Sequence, residues 1–162
     1  TTTQPKLTPM HTTMIRLLGK VAQGVWMEET VADNADPEFV AYDMQAGDPG
    51  ANDLFAVIPE GASMNLRFSP GMVLICRRIP FTSSQFKSGD YVIVQRRAHD
   101  MCELTCKRVE LDEDGQYWLH CESDRPEFAE PWLIGKPNHD HYDDMEVTII
   151  AKVIRGVLNF ER

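Results

Sequence analysis

A serine on a turn of small residues, Gly61-Ala62-Ser63-Met64, and a single lysine in a strand-like run, Glu103-Leu104-Thr105-Cys106-Lys107-Arg108-Val109, are the parts of a hydrolytic pair. A serine hydroxyl is a weak nucleophile near neutral pH and needs a base beside it. Histidine is the usual base, but the histidines of this chain are poorly placed. His11 lies in a Thr- and Pro-bearing segment, His99 in the turn-like Arg97-Ala98-His99-Asp100, and His139 and His141 in a polar loop. His120 sits in a strand whose neighbours suggest no triad, and no Gly-x-Ser-x-Gly elbow is present. Lysine does the same work when burial disfavours its ammonium and lowers its pKa. Strand alternation puts Thr105, Lys107 and Val109 on one face, which suits a covered surface. Cys106, Arg108 and Glu110 fall on the other, and the last two suit solvent. Taken alone, each segment also fits a plain structural role: a lysine that snorkels to water, and an ordinary turn.

Short strands must position these groups. Met14 to Val21 is an apolar stretch able to pair, Val25 to Pro37 reads as an acidic surface loop, and Phe39 to Tyr42 as a short strand. Gly47-Asp48-Pro49-Gly50 is a strong turn signal. Beyond it, Leu54–Ile58, Met72–Arg77, Tyr91–Gln95, Cys102–Leu111 and Tyr117–Cys121 read as strands, with Asp112-Glu113-Asp114-Gly115 as a hairpin turn. Glu146–Leu158, with its β-branched Val147-Thr148-Ile149-Ile150, closes the series. Ser63 to Phe68 has room for one helical turn, and no long amphipathic helix is visible. The expected class is all-β, a compact mixed sandwich or barrel.

Composition limits the partners. The chain has 162 residues and 43% apolar content, enough for one domain with a real core rather than a disordered chain. A net charge of −9 argues against this segment gripping nucleic-acid phosphates by itself. Arg77-Arg78 and Arg96-Arg97 read as solvated strand ends, and Trp26, Trp118 and Trp132 as too scattered to form a base-stacking platform. No apolar run is long enough to span a bilayer and no signal peptide is visible, so a cytoplasmic protein with no membrane contact is expected. Cys76, Cys102, Cys106 and Cys121 form no CxxC pair and read as reduced thiols. His139-Asp140-His141-Tyr142-Asp143-Asp144 carries metal-friendly side chains but reads as a solvated acidic loop. No metal and no cofactor are expected.

Gly61-x-Ser63-Met64, then Pro70-Gly71 and an apolar strand, then Ser88-Gly89-Asp90-Tyr91-Val92-Ile93-Val94, then Leu104-Thr105-Cys106-Lys107-Arg108 closely resembles the LexA/UmuD family of self-cleaving proteins, which includes phage repressors. The likeness continues through Leu119-His120-Cys121-Glu122-Ser123 and Pro126-Glu127-Phe128 to Val147–Leu158, and spans roughly residues 15 to 160 in the family's order. It implies the family's all-β C-terminal-domain fold with an extended N-terminal cleavage segment. It also implies Ser63 as the nucleophile, Lys107 as general base and later acid, and the backbone N–H groups of Ser63 and Met64 as the oxyanion donors.

The scissile bond of the family lies in an upstream segment of the same chain, usually Ala-Gly or Cys-Gly. Leu18-Gly19-Lys20-Val21-Ala22-Gln23-Gly24 resembles that segment, with Lys20, Val21 and Ala22 leading to a bond between Gln23 and Gly24. Glycine at 24 is expected to keep a Cβ away from the nucleophile. Gln23 departs from the small residue of the family; slow cleavage, no cleavage and dependence on a stronger inducing signal all fit it. Met72 after Gly71 departs from the family's Gly-Asp.

The organisation implied is a linker over 1–13 from a missing N-terminal DNA-binding domain, a cleavage segment and loop over 14–45, and a Ser-Lys peptidase and dimerisation domain over 46–162. The partners implied are a second copy of the chain, a RecA-type filament as inducer, and DNA only through the missing domain. Two rivals stay open: a UmuD-like polymerase accessory subunit, and a dimerisation or sensing domain that never cuts.

Overall fold

The computed structural model describes residues 11–24, 26–28, 36–82, 85–137 and 146–158. Its strands are β1 (His11–Val21), β2 (Met27–Glu28), β3 (Glu38–Met44), β4 (Leu54–Pro59) and β5 (Met72–Arg78). They continue as β6 (Tyr91–Ala98), β7 (Met101–Leu111), β8 (Tyr117–His120), β9 (Trp132–Gly135) and β10 (Val147–Leu158). Helical structure among the described residues is limited to 3-10 turns at Ala51–Asp53 and Pro126–Phe128. Among the described residues no helix is long and apolar enough to cross a membrane.

The strands form one mixed sheet in the order β3-β1-β4-β5-β10-β6-β7-β8-β9, with β2 added on β7. β1 runs parallel to β4, and the other described pairs are antiparallel. The sheet curls until the end of β1 meets β7, where the Ala22 N–H donates to the Leu104 carbonyl at 3.1 Å. This is the all-β, barrel-like architecture expected, and it brings the upstream segment to the lysine strand.

Because the sheet curls, its central strands are buried on both faces. On β6, Ile93 enters one core with Phe55, Leu74 and Cys106, while Val92 and Val94 enter a second with Phe81, Tyr117 and Ile149. A third core joins Ile15, Tyr42, Leu54, Ala56 and Ile75. Two bulges switch strands between cores. On β10 the register shifts between Ile149 and Ala151, so these two residues, which alternation would place together, face the second and first cores. On β1 the shift between Leu17 and Gly19 turns the strand, so Ile15 packs in the third core and Val21 in the first. The second bulge aims the residues after Val21 at β7.

Several elements differ from the sequence expectation. β1 starts at His11, so residues 11–13 are paired strand rather than linker: Thr12 and Thr13 stand opposite Asp43 and Tyr42. Threonine suits a pleated edge once a partner strand is present, and the Thr12 hydroxyl donates to Asp43 at 2.7 Å. β3 outruns Phe39–Tyr42 at both ends. β9 was not anticipated; its four residues have too little alternation to be seen. Met27–Glu28, within the expected loop, pairs with Cys102 and Met101. The remainder of that loop (25 and 29–35), residues 1–10 and the His139–Asp144 run lie outside the described residues.

Phe55 is fully buried at the centre of the first core, with Arg78 stacked on its ring at 4.7 Å. Phe55→Ala is expected to cost about 3–5 kcal/mol, the usual range for a large aromatic deleted from a close-packed core. Urea unfolding of the variant against the parent measures it.

Candidate active site

β7 carries the expected base, Lys107. Glu103, Thr105, Lys107 and Val109 alternate on one face and none is more than 1% exposed. This is the covered face the alternation predicts, extended by Glu103. On the opposite face Cys106 is also buried, because the first core covers it. Burial pushes the Cys106 thiol up to about 12 and the Cys76 thiol well above its ordinary value, so both stay protonated. All four cysteines are free.

The Lys107 Nζ donates to Gln23 Oε1 at 2.5 Å, to Cys121 Sγ at 3.1 Å and to Thr105 Oγ1 at 3.3 Å. It also lies 4.7 Å from the centroid of the Trp132 ring. Burial holds the lysine below its ordinary pKa, against the opposing pull of Cys121, Glu103 and Cys106.

The serine sits across the segment on a tight turn. Ser63 is 4% exposed, and the chain folds by bonds from Asn65 N–H to Ala62 and from Arg67 and Phe68 N–H to Met64. This is one isolated turn rather than a helix. The strand end after β8 staples it: Leu66 N–H donates to the Glu122 carbonyl at 3.0 Å, and the Asn65 amide donates to Asp124 at 2.7 Å. Glu122 is itself fixed by the Tyr91 hydroxyl at 2.7 Å and Arg108 at 3.1 Å. Among the described residues, the N–H groups of Ser63 and Met64 are taken by no backbone acceptor. An open groove of about 350 Å³ lies beside this turn, between Ile58–Gly61 and Phe68–Gly71. Met64 of the turn lines it and Lys107 does not.

The upstream segment runs between the two. The Val21 carbonyl accepts from Glu60 N–H at 2.9 Å, while Val21 itself is anchored in the first core. The Lys20–Glu60 pair alongside is exposed and contributes little. A Cβ placed on Gly61 would sit 3.9 Å from that of Ala22, so the serine turn touches the segment. Gln23 then reaches Lys107. The structure therefore brings Ala22, Gln23, Gly61 and Lys107 together, whereas no hydrogen bond joins Ser63 to Lys107 among the described residues. The glycine argument changes too. Nothing lies within 4 Å of a Cβ added to Gly24; its φ of +87° is what favours glycine there.

Glu103 was missed in the sequence. It is fully buried, accepts two bonds from Arg96 at 2.9 and 2.8 Å, and accepts the Gly24 N–H at 2.7 Å. Arg96 is therefore no solvated strand end: Trp26 and Trp132 stack on its guanidinium at 4.9 and 4.6 Å. Those two tryptophans, distant in sequence, meet around one cation. The signal was available, because two steps of two back from Lys107, past Thr105 on the same covered face, place a second charge at Glu103. Cys121 and Trp132 carried no comparable signal, since their nearness to Lys107 comes from strand pairing. Among the described residues no group of three or more His, Cys, Asp or Glu is placed to hold a metal ion.

Comparison with known proteins identifies the family. No curated protein matches the sequence. The family model described as Peptidase S24-like matches residues 16–154, from β1 through most of β10. The match includes the segment at 20–24, the serine turn and the lysine strand, and the chain belongs to the Peptidase S24-like family, the LexA/UmuD type of self-cleaving protein.

Proposed function

We propose that this chain is the self-cleaving and dimerising C-terminal domain of a LexA-like or phage-type transcriptional repressor, cutting its own Gln23–Gly24 bond. The observation that carries the reading is the seating of residues 21–24 in cis, with Gln23 on the buried Lys107 and the Gly24 nitrogen on Glu103.

In this reading neutral Lys107 takes the proton of the Ser63 hydroxyl as Oγ bonds to the Gln23 carbonyl carbon. The N–H groups of Ser63 and Met64 stabilise the resulting oxyanion. The protonated Lys107 gives its proton to the Gly24 nitrogen, the amide bond breaks, and Gln23 remains as an ester on Ser63 until water releases it. Glu103 fixes the plane of the scissile amide through the leaving nitrogen. Cleavage separates a DNA-reading domain from the domain that pairs two copies, and so relieves repression by lowering effective concentration at the operator. A RecA-type filament acts as inducer by favouring the cleavage-competent form. A UmuD-like polymerase accessory subunit would use the same chemistry on a short N-terminal arm.

Two outcomes are expected. The cleavage rate follows the neutral fraction of Lys107, and because burial lowers the folded-state pKa, that fraction grows from neutral pH upward and levels off once the lysine has titrated. Intact mass after incubation at pH 7 and pH 10 should show a fragment beginning at Gly24, faster at pH 10 and absent in Ser63→Ala and Lys107→Ala. An intact chain at both pH values, with and without an activated filament, would leave the non-cutting dimerisation module. Separately, Glu103→Gln in a Ser63→Ala background should lose about 1.5–3 kcal/mol of stability, the worth of charge-assisted hydrogen bonds. It should also speed hydrogen exchange at the Gly24 amide, read by denaturation and by NMR.

A further inference from the structure

The bonding around Lys107 has a direction. An ammonium has three N–H donors and no lone pair, while a neutral amine has two donors and one lone pair. Lys107 faces three groups: Gln23 Oε1, Thr105 Oγ1 and Cys121 Sγ. The Cys121 thiol has one proton and donates it to Gln23 Oε1 at 3.4 Å, so its sulfur offers lone pairs to the lysine. The Gln23 oxygen, not its NH2, is the atom facing Lys107. Two of the three contacts, Gln23 and Cys121, thus form a closed triangle with the lysine. All three protons of an ammonium are satisfied, and no lone pair is left to receive the proton of Ser63.

We propose that Cys121 is a positioning residue of this site: with the Gln23 side chain it holds Lys107 as the ammonium, so the segment docks on a base that stays off until this triangle opens. The inference rests on the self-cleavage reading and deepens it, since the residue before the scissile bond becomes its own brake. Among the described residues, Glu103 and the Trp132 face also favour the cation, Thr105 accepts a bond in either charge state, and Cys106 on the opposite face stays a neutral thiol, while burial and the Arg96 cation on the same Trp132 ring oppose them.

The test separates this idea from the reading beneath it. In a Ser63→Ala background, which cannot cut, the Lys107 side chain is titrated by NMR of its labelled Cε. Cys121→Ala, and Gln23→Met, which keeps length but loses the amide oxygen, should each titrate Lys107 at lower pH than the parent. Cys121→Ser, which restores an acceptor, should stay near the parent. With Ser63 intact, the same two variants should cut several-fold faster at pH 7 and reach the parent's plateau at lower pH, since each unit of downward movement gives about tenfold more neutral amine below the midpoint. Unchanged titration in both variants overturns the proposal. If no chain cuts at any pH but the titrations move, the clamp stands and the cleavage reading alone falls. Should Cys121→Ala fail to fold, Gln23→Met decides the matter.

Discussion

Everything in the site depends on bringing one lysine into a strand face closed to water. An ammonium there loses its hydration, and only partners with lone pairs or π electrons restore part of it. Lys107 gains three acceptors and an aromatic face. Those partners come from four separate parts of the chain: β7 itself, the end of β8, β9 and the segment after β1. The lysine therefore acts as a structural node as much as a chemical one. Lys107 is the cation around which these elements are arranged, and in the proposed reaction the same nitrogen is the base, so the two roles compete for it.

Glu103 works in parallel. Its carboxylate is fully buried, yet it is satisfied by a bidentate arginine and by the Gly24 N–H. The arginine in turn lies between two indole rings. A buried carboxylate with this set of donors seldom reorients, so the backbone it holds is held in one plane. Glu103 grips the segment by its main chain, while Lys107 meets it by the Gln23 side chain. The first contact would survive any residue at 23; the second would not. The main-chain hold and the proposed switch therefore rest on different atoms of the same short stretch.

Much of this was legible in the residues and some was not. Alternation on Cys102–Leu111 correctly placed Lys107 on a covered face, because a period of two depends only on the strand itself. The serine turn and its flanking strands were legible from glycine, proline and β-branched runs for the same local reason. What alternation could not show was the far face of β7. Cys106 was read on the side shared with solvent-suited Arg108, but curling of the sheet buries both faces at its middle. The strand nature of 11–13 was hidden because threonines look like linker until β3 lies beside them. The meeting of Trp26, Arg96 and Trp132 depends on three strand pairings at once, so no window of sequence contains it.

The bulge between Leu17 and Gly19 links these levels. Without it, alternation would place Val21 on the face of Ile15, in the third core, and the residues that follow would turn away from β7. With it, Val21 drops into the first core, Ala22 bonds to Leu104, and Gln23 arrives at Lys107. One inserted residue in β1 thus decides which side of the sheet meets the buried lysine. The hydrophobic anchor and the polar contact are set by the same irregularity, so neither can shift without the other. This is why the segment belongs to the folded sheet rather than hanging from it as a tether. Any change that frees Gln23 from Lys107 must either rotate a single side chain within that frame or release Val21 from the core. The first route is far less costly, because it leaves every backbone bond of the segment in place.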